Sequence, residues 1–156
     1  MASLIILHAT DASDEAEGLQ TQLSGEGITA MTFSEVLLEG PLNIAELVAS
    51  SAGVIFILTN GLLNDMVCLT MAKQAMKAQK GLPVIFEDIT TPAWSGRPFR
   101  LMPSDMYEVE WGFFVTQIRS YISFAELCRS IDDSMVTETA EEVLSEEGIE
   151  SGPEVV

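Results

Sequence analysis

Leu4-Ile5-Ile6-Leu7 opens the chain as a short unbroken apolar run, the pattern of a strand buried on both faces. Polar Thr10 to Asp14 interrupts it, and Ser13 or Asp14 can cap a helix in which Ala16, Leu19, Gln20 and Leu23 recur at helical spacing. Gly25 and Gly27 end that helix, and Ile28 to Phe33, of mixed polarity, predicts a second strand nearer a sheet edge. Ile44, Leu47 and Val48 mark one face of a helix over Asn43 to Ser50. Gly53 to Leu58 is the strongest strand pattern in the chain and is predicted to be central, with Asn60 and Gly61 closing it. Leu62 to Gln79 predicts one long helix with Leu69, Ala72, Ala75 and Met76 inward, and Leu82 to Phe86 a fourth strand. A loop rich in Pro and Gly spans Asp88 to Pro103, and Met106 to Val109 can form a short fifth strand. The last helix is predicted from Gly112 to Ile131, with Phe114, Ile118, Ile122, Leu127 and Ile131 as its core stripe.

Alternation of strands and helices demands right-handed crossovers and a parallel sheet covered on both faces. The natural closure is a three-layer α/β, flavodoxin-like fold with five parallel strands in the order 2-1-3-4-5. After Ile131 large apolar residues thin out to Val143, Leu144 and Ile149, too few to offset ordering entropy. Residues 1–131 are therefore expected to form the domain. Residues 132–156 are expected to form a disordered acidic tail, with a transient helix near Glu141 to Leu144.

Charge changes the picture next. The 156-residue chain carries a net −17, and nine of its 24 acids lie between Asp132 and Glu154, where there is no Lys or Arg. Such a chain repels phosphate backbones and anionic membranes, so nucleic-acid partners are disfavoured. Its apolar runs are too short for direct membrane insertion. The N-terminus lacks a basic, apolar signal segment, and Ala2 leaves no glycine to myristoylate. Cys68 and Cys128 have no metal-type spacing and read as reduced thiols, which points to a cytoplasmic location.

The connection from Thr32 to Leu42 breaks the usual rule for loops. A link between a strand and a helix is normally short and polar, yet this one holds Val36, Leu37, Leu38 and Leu42. Gly40-Pro41 makes it turn, and Glu35 and Glu39 flank it with charge. Glu35 to Leu42 is thus a candidate contact surface. A second candidate is basic: Lys73, Lys77 and Lys80, at i, i+4 and i+7, concentrate positive charge on an otherwise acidic chain.

Other chemistry is thinly supported. Ala9-Thr10-Asp11-Ala12-Ser13 has no glycine with which to cradle a phosphate. The central strand ends Leu58-Thr59-Asn60, without the aspartate of a phospho-acceptor site. His8, the one histidine, has Asp11 nearby but no recognisable nucleophile turn, and reads as structural. Cys68 reads as buried and inert. Trp111 reads as a packing residue, and Trp94, near Arg97 and Arg100, as an exposed contact or a lid over the sheet edge. No cofactor and no metal site is predicted.

Ile5-Ile6-Leu7-His8-Ala9, Asp11, Asp14-Glu15-Ala16, Phe33-Ser34-Glu35, Ser51-Ala52, Ile57-Leu58-Thr59 and Lys73-Gln74-Ala75-Met76, in this order, resemble a TIR (Toll/interleukin-1 receptor homology) domain over residues 3 to 130. The nearest resemblance is to the TRIF and TRAM group of Toll-like receptor adaptors. It implies a non-enzymatic innate-immune signalling adaptor that binds the TIR domains of receptors and adaptors and can form homo-oligomers. The Thr32–Leu42 segment then falls where TIR domains have their BB loop, the assembly surface, although family members often have Pro-Gly where this chain has Gly40-Pro41. Some TIR domains hydrolyse NAD with a glutamate four residues beyond a Trp. Aligned through Cys68, these positions are Met71 and Val67, and a thioether cannot replace a carboxylate. The alternative is a NAD hydrolase with a displaced carboxylate, Glu87 or Asp88.

Overall fold

This computed structural model describes residues 4–103 and 106–146, with side chains as far as Ile131. The N-terminal Met1–Ser3 and, in the expected tail, Glu147, Ile149, Glu150 and Glu154 lie outside the described residues, as do the side chains of Val143 and Leu144.

Five strands, β1 (Leu4–Leu7), β2 (Ala30–Thr32), β3 (Gly53–Ile57), β4 (Gly81–Ile85) and β5 (Phe99–Arg100), form one sheet in the order β2-β1-β3-β4-β5. Every pairing is parallel, with Ile5 opposite both Met31 and Val54, and Ile57 opposite Val84. The continuous apolar runs of β1, β3 and β4 are buried throughout, as a sheet covered on both faces requires.

Six helices accompany it: α1 (Ser13–Gly25), α2 (Phe33–Leu37), α3 (Ile44–Ser50), α4 (Asn60–Leu63), α5 (Met66–Lys77) and α6 (Tyr107–Glu146), of which α6 belongs to the sheet's unit only as far as Ile122. Ile5, Leu7, Val54 and Phe56 join Val48 of α3, Leu62 of α4, and Met71, Ala72 and Ala75 of α5 in one apolar cluster. Alternation along the strands sends Leu4, Ile6, Ile55 and Ile57 to the opposite face. There α6 reaches the sheet through Tyr121, whose hydroxyl donates to the Gly81 carbonyl at 3.3 Å. Glu26, just after α1, ties that helix to α6 by accepting from Trp111 Nε1 at 2.9 Å and, through its carbonyl, from Arg119 at 3.0 Å. The chain divides into two compact units, Met1–Ile122 with the whole sheet and Ser123–Val156 with the rest of α6.

Several predicted elements differ. The fifth strand is not Met106–Val109 but Phe99–Arg100, inside the expected loop, paired with Val84 and Ile85. Residues from Tyr107 onward are helical because Tyr107, Trp111, Phe114 and Ile118 recur at helical period. Tyr107 and Trp111 stack at 6.4 Å and Trp111 meets Phe114 at 5.6 Å. The long helix is broken into α4 and α5, since Thr59 and Asp65 each cap a fresh start by accepting from Leu62 N and Cys68 N at 3.1 Å. Cys68 and Met71, not Leu69, lead its inward face. The last helix starts earlier than Gly112 and runs past Ile131 to Glu146. Its stripe holds at Phe114 and Ile118 but not at Leu127 and Ile131, which are exposed.

Candidate functional site

In an open parallel sheet the ligand crevice lies beyond the strand ends where the strand order reverses, here between β1 and β3. Asp11 bridges that crevice. One carboxylate oxygen accepts from Thr59 Oγ1 at 2.9 Å, and the other from the Gly61 N–H at 3.0 Å. A Cβ on Gly61 would lie 2.6 Å from the Asp11 carboxylate, so this approach requires glycine.

His8 is buried at the end of β1. Its Nδ1 lies 2.9 Å from the Ala9 carbonyl, which can only accept, so Nδ1 carries the proton and Nε2 faces Ser34 Oγ at 3.5 Å. That second distance is too long for a strong hydrogen bond. The Cys68 thiol donates to the His8 carbonyl at 3.7 Å. Burial pushes the Cys68 pKa up to about 12, with the Asp65 carboxylate adding to the shift. Cys68 is therefore a protonated, unreactive thiol at neutral pH.

The Thr32–Leu42 connection is half helix. Thr32 Oγ1 accepts from the Glu35 N–H at 3.4 Å, while Glu35 Oε1 accepts from the Thr32 N–H at 3.0 Å, a reciprocal capping box that starts α2. Gln20 adds a 2.9 Å bond to the same carboxylate oxygen. The Thr32 N–H and then the Gln20 amide hold the Glu35 carboxyl below its usual range. Phe33 and Val36 turn into the core. Glu35 and Val36 thus serve the fold, and what reaches solvent is Leu37, 49% exposed, and Leu38, 87% exposed. Gly40, at φ 137°, makes the turn in a region that favours glycine. Exposed Glu39, Gly40 and Pro41 and half-buried Leu42 line a shallow groove of about 210 Å³ with Val36 and Leu47.

The basic stripe separates. Lys80 lies beyond the end of α5, and its ammonium donates to the Val48, Ala49 and Ser51 carbonyls at 3.1, 2.8 and 2.9 Å. It caps the negative end of α3. Lys73 and Lys77 stay exposed and line a groove of about 360 Å³ with Thr70 and Gln74. Lys73 Nζ also lies 5.7 Å from the centre of the Trp94 ring, which stacks on Phe56 at 5.9 Å.

Met71 is fully buried, so the position matched to the hydrolase glutamate points into the core. Of the displaced candidates, Glu87 is exposed and Asp88 pairs with Arg100 at 2.6 Å. Among the described residues, no three His, Cys, Asp or Glu side chains are grouped to hold a metal ion, and no helix is long and apolar enough to cross a membrane.

Two arrangements escaped the sequence reading. The capping box was legible as Thr-x-x-Glu at Thr32–Glu35; the Lys80 grip on α3 leaves no local signal. Compared with protein-family models and with curated proteins, the chain matches none. Among solved structures it is similar to the TIR domain of the Toll-related receptor TRR-2 from Hydra magnipapillata. The TM-score is 0.62 at 17% identity, over 76% of this chain and 99% of that one. Strand order, parallel pairing and this superposition together give the chain the fold of a TIR domain.

Proposed function

We propose that this chain is a non-enzymatic signalling adaptor that binds TIR domains of receptors and other adaptors, in the cytoplasm and within a Toll-like receptor pathway. One observation carries the reading: Leu37 and Leu38 stand exposed at the end of α2, next to the groove lined by Gly40 and Pro41 and outside the apolar cluster of the core. Large apolar side chains presented in this way are the usual core of a protein contact. Leu37, Leu38, Pro41 and Leu42 supply the apolar contact, Glu39 faces a basic surface on the partner, and Val36 supports them from beneath. Lys73 and Lys77 offer the opposite charge, so like copies can also stack. The likeness of the Ile-Leu-His-Ala strand to the TRIF and TRAM group supports the adaptor assignment, and the Hydra receptor's fold supports TIR domains as partners.

Two features argue against catalysis: Met71 stands in place of a carboxylate, and the Asp11 carboxylate at the switch point is already engaged by Thr59 and Gly61. Light scattering and co-precipitation with candidate TIR domains test the reading. Wild type associates, and Leu38→Glu and Pro41→His lose association while remaining folded. Unchanged association in both variants removes the segment from the mechanism. Incubation with NAD releases no nicotinamide; release that Glu87→Gln abolishes would establish the hydrolase instead.

A further inference from the structure

β2 is an outer strand of the sheet, and its backbone groups point alternately toward β1 and away from it. The outward Ala30 carbonyl accepts from Gln20 Nε2 at 2.8 Å, and the outward Thr32 N–H donates to Glu35 Oε1 at 3.0 Å. Gln20 Nε2 also donates to Glu35 Oε1 at 2.9 Å, which joins the two side chains into one unit. A residue of a sixth, parallel strand would donate to the same carbonyl and accept from the same N–H. Gln20 and Glu35 thus stand where the backbone of such a residue would stand. The other outer strand is treated alike: the Arg100 N–H of β5 donates to Glu110 Oε2 at 3.2 Å. Unpaired edge groups are templates for strand addition, and side chains that occupy them oppose it.

The guarded groups name their own partner. With a second β2 laid antiparallel about a two-fold axis at Met31, the Thr32 N–H of each copy meets the Ala30 carbonyl of the other. That pairing is self-complementary and needs only the two groups the side chains now hold. A groove of about 360 Å³, lined by Gln20, Thr21, Ser24, Ile28, Thr29 and Ala30, opens along the same edge. We propose that Gln20 and Glu35 guard a strand-pairing site on β2 which, uncovered, takes β2 of a second copy in antiparallel register. Glu35 adds a second barrier while the guard is closed, because each approaching copy brings its own carboxylate to the same edge. The site uses neither exposed leucine of α2, so it stands or falls apart from the contact proposed there.

Sedimentation of the whole chain tests this, in a Leu38→Glu background so that association through the leucines does not count. Gln20→Ala with Glu35→Ala raises self-association by about tenfold or more over that parent, the gain expected from a few hydrogen bonds between strands. A second readout fixes the register. Across the proposed axis the two Met31 Cα atoms lie about 4.5 Å apart, within disulfide reach. Met31→Cys, combined with Cys128→Ser, therefore cross-links under mild oxidation about tenfold faster without the guard than with it. Ser50→Cys, at an exposed position on α3, gains nothing from the guard's removal. A folded guard variant that associates no more than its parent, or whose Met31→Cys cross-links no faster than Ser50→Cys, overturns the proposal. So does a monomeric guard variant that binds an extended Thr-Val peptide, which assigns the edge to a foreign segment instead. If circular dichroism shows the double variant unfolded, Gln20→Ala alone, which keeps the α2 capping box, takes its place with the same outcomes.

Discussion

Two neighbouring strands release the chain at the same edge of the sheet, and the two exits use their side chains in opposite ways. After β1, the polar Asp11 looks like chemistry, and both of its carboxylate oxygens are engaged by the fold, accepting from Thr59 and Gly61 across the crevice. After β2, the apolar Leu37 and Leu38 look like core and remain outside. A polar side chain signals function only when its partners are not already supplied by the fold. An apolar one does so when packing has no place for it. This contrast is the reason the proposed contact is placed on the α2–α3 connection and not in the crevice.

The comparison is broken most severely at Met71. Met71→Glu restores a carboxylate at the family's hydrolase position, but Met71 is fully buried. An unpaired charge there costs about 3–5 kcal/mol, so thermal unfolding shifts sharply downward and no nicotinamide is released from NAD. Gly61→Ala drives a methyl into the Asp11 carboxylate and loosens the bridged crevice. The expected loss is about 1–3 kcal/mol by denaturant titration, with TIR-domain association retained in the folded fraction.

At the second exit, Thr32→Ala removes the capping box and costs about 0.5–2 kcal/mol. The capping box also has a pH signature. Because the Glu35 carboxyl is depressed in the folded protein, its stabilisation is present above the ordinary carboxylate range and is lost as pH falls through the folded value. Stability measured from pH 7 down to pH 3 shows this loss in the wild type and lacks it in Glu35→Gln, which removes the titrating carboxyl. The smallest expected effect on stability is the most pointed one. Leu38→Glu changes unfolding free energy by no more than about 0.5 kcal/mol while association disappears. A large destabilisation would mean that Leu38 belongs to the core.

Sequence and structure agree best where periodicity is long and burial complete. The runs in β1, β3 and β4 read directly as central strands, and with the helical patterns between them they led to the observed strand order. Short elements were harder. Phe99–Arg100 contributes two residues to the sheet and is held by pairing with β4, which no local pattern announces. In the candidate site the exposed leucines were visible as a misfit of polarity, whereas Val36 and Lys80 could not be told from them. Val36 faces inward because α2 rotates it there. Lys80 is drawn to carbonyls that precede it by about thirty positions and approach it only in the fold.

That grip on α3 has a consequence for the thermodynamics of binding. The segment between α2 and α3 is clamped at both margins, by the Thr32–Glu35–Gln20 hydrogen bonds before it and by the Lys80 ammonium on the helix after it. Leu38 and Glu39 are tied back to α2 by their N–H groups and Asn43 caps α3, so a proposed partner would have little beyond residues 40–42 to fix. Fixing a residue's backbone costs about 1–2 kcal/mol, so shortening the free span to these few positions lets a small apolar contact hold with little opposing entropy. Acetylation of Lys80, remote from the leucines in sequence, would remove the positive charge of that clamp and weaken association without touching the contact itself.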